Sequence, residues 1–170
     1  MARRIDVHVV IPIIGLGLTG AQEARRLTDL GFSMDGYAES CLLNEKSEYD
    51  AKHRLTAGEC YQVVLVPINE IKRSERTTAN LQRRGELYGY SRPLAGIVPR
   101  ILETVSNRRM REMGIRYIVA PDPISGPGGI PIVLGVNCCN NQRRLCAGFG
   151  GSDRWWRSHG AAAFLLPAST

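Results

Sequence analysis

At 170 residues and 18.8 kDa, the chain has room for one compact domain, or for a smaller domain and a tail. Apolar residues make up 44% and charged residues 22%, which suits a globular core, and no apolar run reaches the roughly 18 residues that would mark a transmembrane helix. The start, Met1-Ala2-Arg3-Arg4, leads directly into a strand-like pattern without the apolar stretch of a signal peptide, so an intracellular protein without a membrane partner is expected.

The net charge of +6 is unevenly placed, and 19 of the 22 basic residues are Arg. Residues 1–70 carry 7 basic and 10 acidic side chains, whereas residues 71–170 carry 15 and 6. Segregation of this kind points to a polyanionic partner or an acidic protein surface, against the simpler reading of a solvated Arg-rich face.

In chain order, Asp6-Val7-His8-Val9-Val10-Ile11-Pro12 is short, β-branched and closed by Pro, and predicts a first strand. The glycines Gly15, Gly17 and Gly20 then lead into a helix over residues 21–30, with Thr19 as its cap and Gly31 as its stop. A weak second strand is predicted around Phe32-Ser33-Met34, and a polar helix over residues 47–58 that leaves His53 at the surface. Tyr61-Gln62-Val63-Val64-Leu65-Val66 is the strongest strand signal in the chain. A basic stretch follows, then Thr77-Thr78-Ala79-Asn80-Leu81 as a further short strand, and one helix over residues 97–113. From residue 114 onward lie 9 of the 18 Gly and 5 of the 9 Pro, which predicts a loosely ordered or partner-dependent tail holding two short strands.

Five Cys and three His show no paired metal-ligand spacing, so neither a disulfide framework nor a metal site is expected. Gly15-x-Gly17-x-x-Gly20 between a strand and a helix fits the phosphate turn of a Rossmann-like fold. There Glu39 would be the acidic residue that completes the site, and the ligand a nucleotide such as NAD or ATP. The plain alternative is a Gly-rich turn into a helix.

A wider pattern runs over residues 5–113. It comprises a strand ending Ile11-Pro12, a helix with Arg25-Arg26-Leu27 ending at Gly31, and the strand Tyr61-Gln62-Val63-Val64-Leu65-Val66. Thr77-Thr78-Ala79-Asn80-Leu81 with Arg83-Arg84 completes it. This order resembles the anticodon-binding domain of class II aminoacyl-tRNA synthetases, including its relatives in non-synthetase proteins. The resemblance implies a non-catalytic RNA-binding or assembly module within a larger ribonucleoprotein complex, with no cofactor. Lys52, Arg54, Lys72, Arg73, Arg76, Arg83 and Arg84 would contact phosphates, and Tyr88 and Tyr90 would stack on bases. The excess of 11 basic over 4 acidic residues in 72–116 agrees with that reading. The family's Ser-Leu-Gly-Lys opening of the second helix is absent, which leaves a third alternative, a pure protein-interaction module. Trp155 and Trp156, between Arg154 and Arg157, are expected to dock on a protein partner or on nucleic acid, or to pack back onto the domain.

The expected architecture is a three-layer α/β/α domain over residues 1–113, with a mixed sheet of four to five strands, followed by the tail over residues 114–170.

Overall fold

The fold is described from a computed structural model over residues 8–168. Asp6 and Val7, at the start of the first predicted strand, lie outside the described residues.

Eight strands form one mixed sheet: β1 (Val9–Ile14), β2 (Ser33–Met34), β3 (Cys60–Pro67), β4 (Tyr117–Val119), β5 (Ile124–Ser125), β6 (Pro131–Cys139), β7 (Gln142–Phe149) and β8 (Gly160–Leu165). Their order across the sheet is β1-β3-β8-β4-β6-β7-β2, with β5 paired to β6. The sheet is wider than the four to five strands expected, because residues 114–165 supply five of the eight. β8 lies between β3 and β4, antiparallel to the first and parallel to the second. The Gly and Pro residues of this half mark turns between strands. The sharpest turn joins β6 to β7, where Asn140 and Asn141 both take positive φ (51° and 61°), the geometry of a two-residue type I′ hairpin.

The helices are α1 (Gly20–Asp29), α2 (Gly36–Leu43), α3 (Thr78–Leu87), α4 (Ile97–Thr104) and α5 (Asn107–Glu112). α1 begins as predicted: the Thr19 hydroxyl accepts from the Gln22 amide, and the Gln22 side chain accepts from the Thr19 amide. It ends at Gly31, whose φ of 85° lets the Phe32 amide reach back to the Leu27 carbonyl.

Thr77 and its neighbours depart from expectation by opening a helix. The Thr77 hydroxyl accepts from the Asn80 amide, so the threonines that suggested a strand act as a cap and first turn. The helix predicted over 97–113 is two, broken at Val105 and Ser106. Ser106 caps α5, and the Arg143 guanidinium closes α4 by donating to the Leu102 and Val105 carbonyls. The polar helix predicted over 47–58 is a short 3₁₀ turn (Glu45–Ser47), a π turn (Tyr49–His53) and a loop.

Alternation along the strands sorts the core into two faces. Val63, Leu65, Ile118, Leu134, Val136, Ala161 and Ala163 point to the face covered by α1, α2, α4 and α5. Val64, Val66, Val119, Val133, Ala162 and Phe164 point to the other, where α3 contributes Leu81 and residues 151–159 contribute Trp156. The three-layer α/β/α expectation is therefore met. The second face is covered unevenly: α3 lies over β3 and β8, and the surface of β4, β6 and β7 is left to the Trp156 segment.

Candidate nucleic-acid interface

Residues 76–79 and 152–156 run side by side, and the Trp155 side chain extends the contact to Arg73. The Thr78 amide donates to the Arg154 carbonyl, the Ala79 amide to the Ser152 carbonyl, and the Trp156 amide to the Arg76 carbonyl at 2.7 Å. Trp156 is buried, with its indole N–H donating to the Thr78 hydroxyl at 2.9 Å. Trp155 faces the other way and is 42% exposed. Its indole N–H donates to the Arg73 carbonyl at 2.7 Å, so the exposed ring is held rather than free to swing.

Beside Trp155 and Trp156 the structure gathers five cations. Lys72, Arg73 and Ser74 line a depression with Trp155, and Arg73, Arg76, Arg157 and His159 line a second that shares the same tryptophan. A third, deeper cavity adjoins them, with Arg154, Arg157 and His159 at its rim. None of Lys72, Arg73, Arg76, Arg154 or Arg157 forms an ion pair among the described residues. Of the fifteen other described Lys and Arg side chains, six are paired, Arg26 with Glu103 among them. Lys52 pairs with Glu48, Arg92 with Glu86 and Asp122, Arg108 and Arg109 with Glu112, and Arg100 with Glu23 and Glu103. Two titrating groups lie beside these cations. His159 is held below the ordinary imidazole range, first by burial and then by the Arg116 and Arg157 charges. Tyr117 is pushed up to about 12 by burial, which outweighs the opposing pull of Arg154, Arg76 and Arg157.

Of the residues expected to contact RNA, the structure brings Lys72, Arg73 and Arg76 into this groove. Lys52 and Arg54 lie beside the Gly-rich loop, where Arg54 donates to the Gly17 carbonyl at 2.7 Å. Arg83 and Arg84 lie on α3; Arg84 sits beside Tyr88. Tyr90 is 7% exposed and belongs to the core, so it offers no open stacking face. The cause is the end of α3: Gly89 (φ 81°) reverses the chain, the Tyr90 amide returns to the Gly85 carbonyl, and the ring turns inward. There its hydroxyl meets Nδ1 of His8 at 2.7 Å, while Nε2 of His8 donates to the Glu70 carboxylate at 2.9 Å. The Tyr88 hydroxyl donates to the same carboxylate at 3.0 Å, with its ring stacked on Tyr90. His8 is buried in this network, and His53, expected at the surface, is buried with Nδ1 accepting from the Ala95 amide.

The Gly-rich turn is filled by the protein's own chain. The Gly20 amide at the helix start donates to the Asp50 carboxylate at 2.7 Å, where a phosphate would sit in a nucleotide fold. Side chains at Gly15 and Gly20 would run into the Thr56 and Leu42 carbonyls, so these glycines permit close packing of loops. β1 is paired antiparallel to β3 and β2 stands at the opposite edge of the sheet, while Glu39 is exposed on α2. The crevice between parallel strands that such a motif serves is not formed here.

Sequence reasoning did not assign Arg154, Arg157, His159 or Tyr117 to the site. Arg154 and Arg157 flanking two Trp residues was the available signal; the pairing of residues 76–79 with 152–156 was not. Fold and groove together define a mixed-sheet α/β chain with a basic, aromatic-centred face. In comparisons with known proteins, no family model, no curated protein and no solved structure matches this chain.

Proposed function

We propose that this chain is an RNA-binding module that holds single-stranded RNA in the groove between residues 72–76 and 151–159, as an intracellular subunit of a larger assembly. The observation that carries this reading is the convergence of Lys72, Arg73, Arg76 and Arg157, without carboxylate partners, on the exposed and tethered ring of Trp155, with Arg154 lining the adjoining cavity. Cations that face solvent cost little to leave unpaired, and release counterions when a phosphate chain binds. A fixed tryptophan face then stacks on an unpaired base regardless of its identity, which favours a single strand over a duplex.

Fluorescence anisotropy with a short single-stranded RNA tests the proposal. Affinity should fall steeply as salt rises. Arg73→Glu with Arg157→Glu should weaken binding by at least about tenfold and lower the salt slope by about two, across all sequences. Arg83→Glu with Arg84→Glu, outside the groove, should weaken it much less. Salt-insensitive binding, or an equal effect of the two pairs, would contradict the assignment.

A further inference from the structure

The cavity beside Trp155 has a built interior. Its volume is about 460 Å³, within the range of small-molecule sites. The space opens where β6 and β7 carry small residues on this face, Gly135 on β6 opposite Cys146 on β7 and Gly148 two residues further along, between Val133 and Asn137. The small size is enforced at Gly135, where a Cβ would press within 2.7 Å of the Ile118 carbonyl oxygen. An aromatic wall stands beside this floor. The Trp156 indole edge packs against Gly148, and Tyr117 lies with its ring centroid 6.1 Å from that of Trp156. Tyr117 is fixed at its far end, donating to the Arg157 carbonyl at 2.6 Å. The rim is polar and cationic, formed by Asn137, Arg154, Arg157 and His159, and the Arg154 guanidinium lies 5.4 Å over the Trp156 ring.

A flat apolar floor, an aromatic wall, one amide and two arginines at the mouth describe one chemistry. We infer that this cavity takes a single nucleotide, with its base laid against Tyr117 and its phosphate held by Arg154 and Arg157. The Asn137 amide offers both donors and an acceptor to the base edge. Because the mouth shares Arg157 and His159 with the groove, the inference rests on the RNA reading and deepens it. A strand lying across Trp155 delivers one unstacked base into the cavity, while phosphates on either side stay in the groove. A free nucleoside monophosphate carries the same chemistry.

Calorimetry on the full chain with 5′-AMP, 5′-UMP, ribose 5-phosphate and a short single-stranded RNA separates these sources. The monophosphates should bind at least about tenfold more tightly than ribose 5-phosphate, the margin expected of a stacked base. Cys146→Leu, which fills the floor without touching an arginine, should erase that margin. It should leave the salt slope of RNA binding unchanged. Should Cys146→Leu fail to fold by circular dichroism, Gly148→Ala asks only that the Trp156 edge, 3.3 Å from the added methyl, give way slightly, and it should reduce the margin in the same direction. RNA binding without any preference for the monophosphates would overturn the cavity inference and leave the groove standing. Monophosphate binding with no gain for the RNA would support the cavity and remove the strand. No binding of either would overturn both.

Discussion

Residues with buried polar atoms carry the most specific expectations. His8 spends both ring nitrogens inside the protein, on Tyr90 and Glu70, so Tyr90→Phe leaves Nδ1 without its partner in a dry site. A loss of about 1–3 kcal/mol in urea unfolding is expected, with the far-ultraviolet spectrum unchanged. An unchanged midpoint would show that the hydroxyl contributes nothing. His53 is held below the ordinary imidazole range, by burial first and by Lys52 second, with Asp122 and Glu48 opposing. Its folded pKa thus lies below its unfolded one, and the unfolded chain takes up the proton first on acidification. The stability it contributes is complete above the unfolded value and is lost as pH falls from there through the folded value. Urea midpoints should drop between about pH 7.5 and 5.5, and His53→Asn, whose Oδ1 can still accept from the Ala95 amide, should flatten the slope. A slope identical in both proteins would exclude His53 as its source. Neither histidine's burial was legible in the sequence, since each depends on partners more than 40 positions away.

Elements were legible where local physics decides them. The capped helix α1, its glycine stop and the strand β3 follow from side chains within a few positions of one another. Thr77 failed as a local signal because a threonine serves a strand through its branched carbon and a helix start through its hydroxyl. β8 was missed for a different reason. Gly160-Ala161-Ala162-Ala163 has neither alternation nor strand propensity, and it is buried in mid-sheet because β3, β4 and Tyr117 crowd it from three sides. The Gly15, Gly17 and Gly20 spacing suggested either a phosphate turn or a plain Gly-rich turn into a helix, and what closes on Gly15 and Gly20 is the chain itself. Gly20→Ala should therefore cost about 1–3 kcal/mol in thermal or urea unfolding, since its methyl meets the Leu42 backbone and not a flexible side chain. A neutral substitution would mean that the contact between α1 and α2 relaxes freely.

At the scale of the whole molecule, the charge asymmetry resolves into geometry. No helix among the described residues is long and apolar enough to cross a membrane, and no cluster of His, Cys, Asp and Glu among them is arranged to hold a metal. Six of the fifteen described cations outside the groove are tied to carboxylates, whereas none of those in residues 72–76 and 154–157 is, and these line the hollows beside Trp155 and Trp156. The sequence showed the basic half of the chain and its Trp pair as separate features; the long connection from β7 into β8, bonded along the start of α3, makes them one surface. Ultraviolet crosslinking of the full chain to single-stranded RNA, with the modified peptides located by mass spectrometry, tests that surface most directly. Crosslinks should concentrate on the peptides holding residues 72–76 and 154–159 and should fall away in Trp155→Ala. Crosslinks confined to Arg83 and Arg84 on α3, or to the Lys52 and Arg54 loop, would contradict the account.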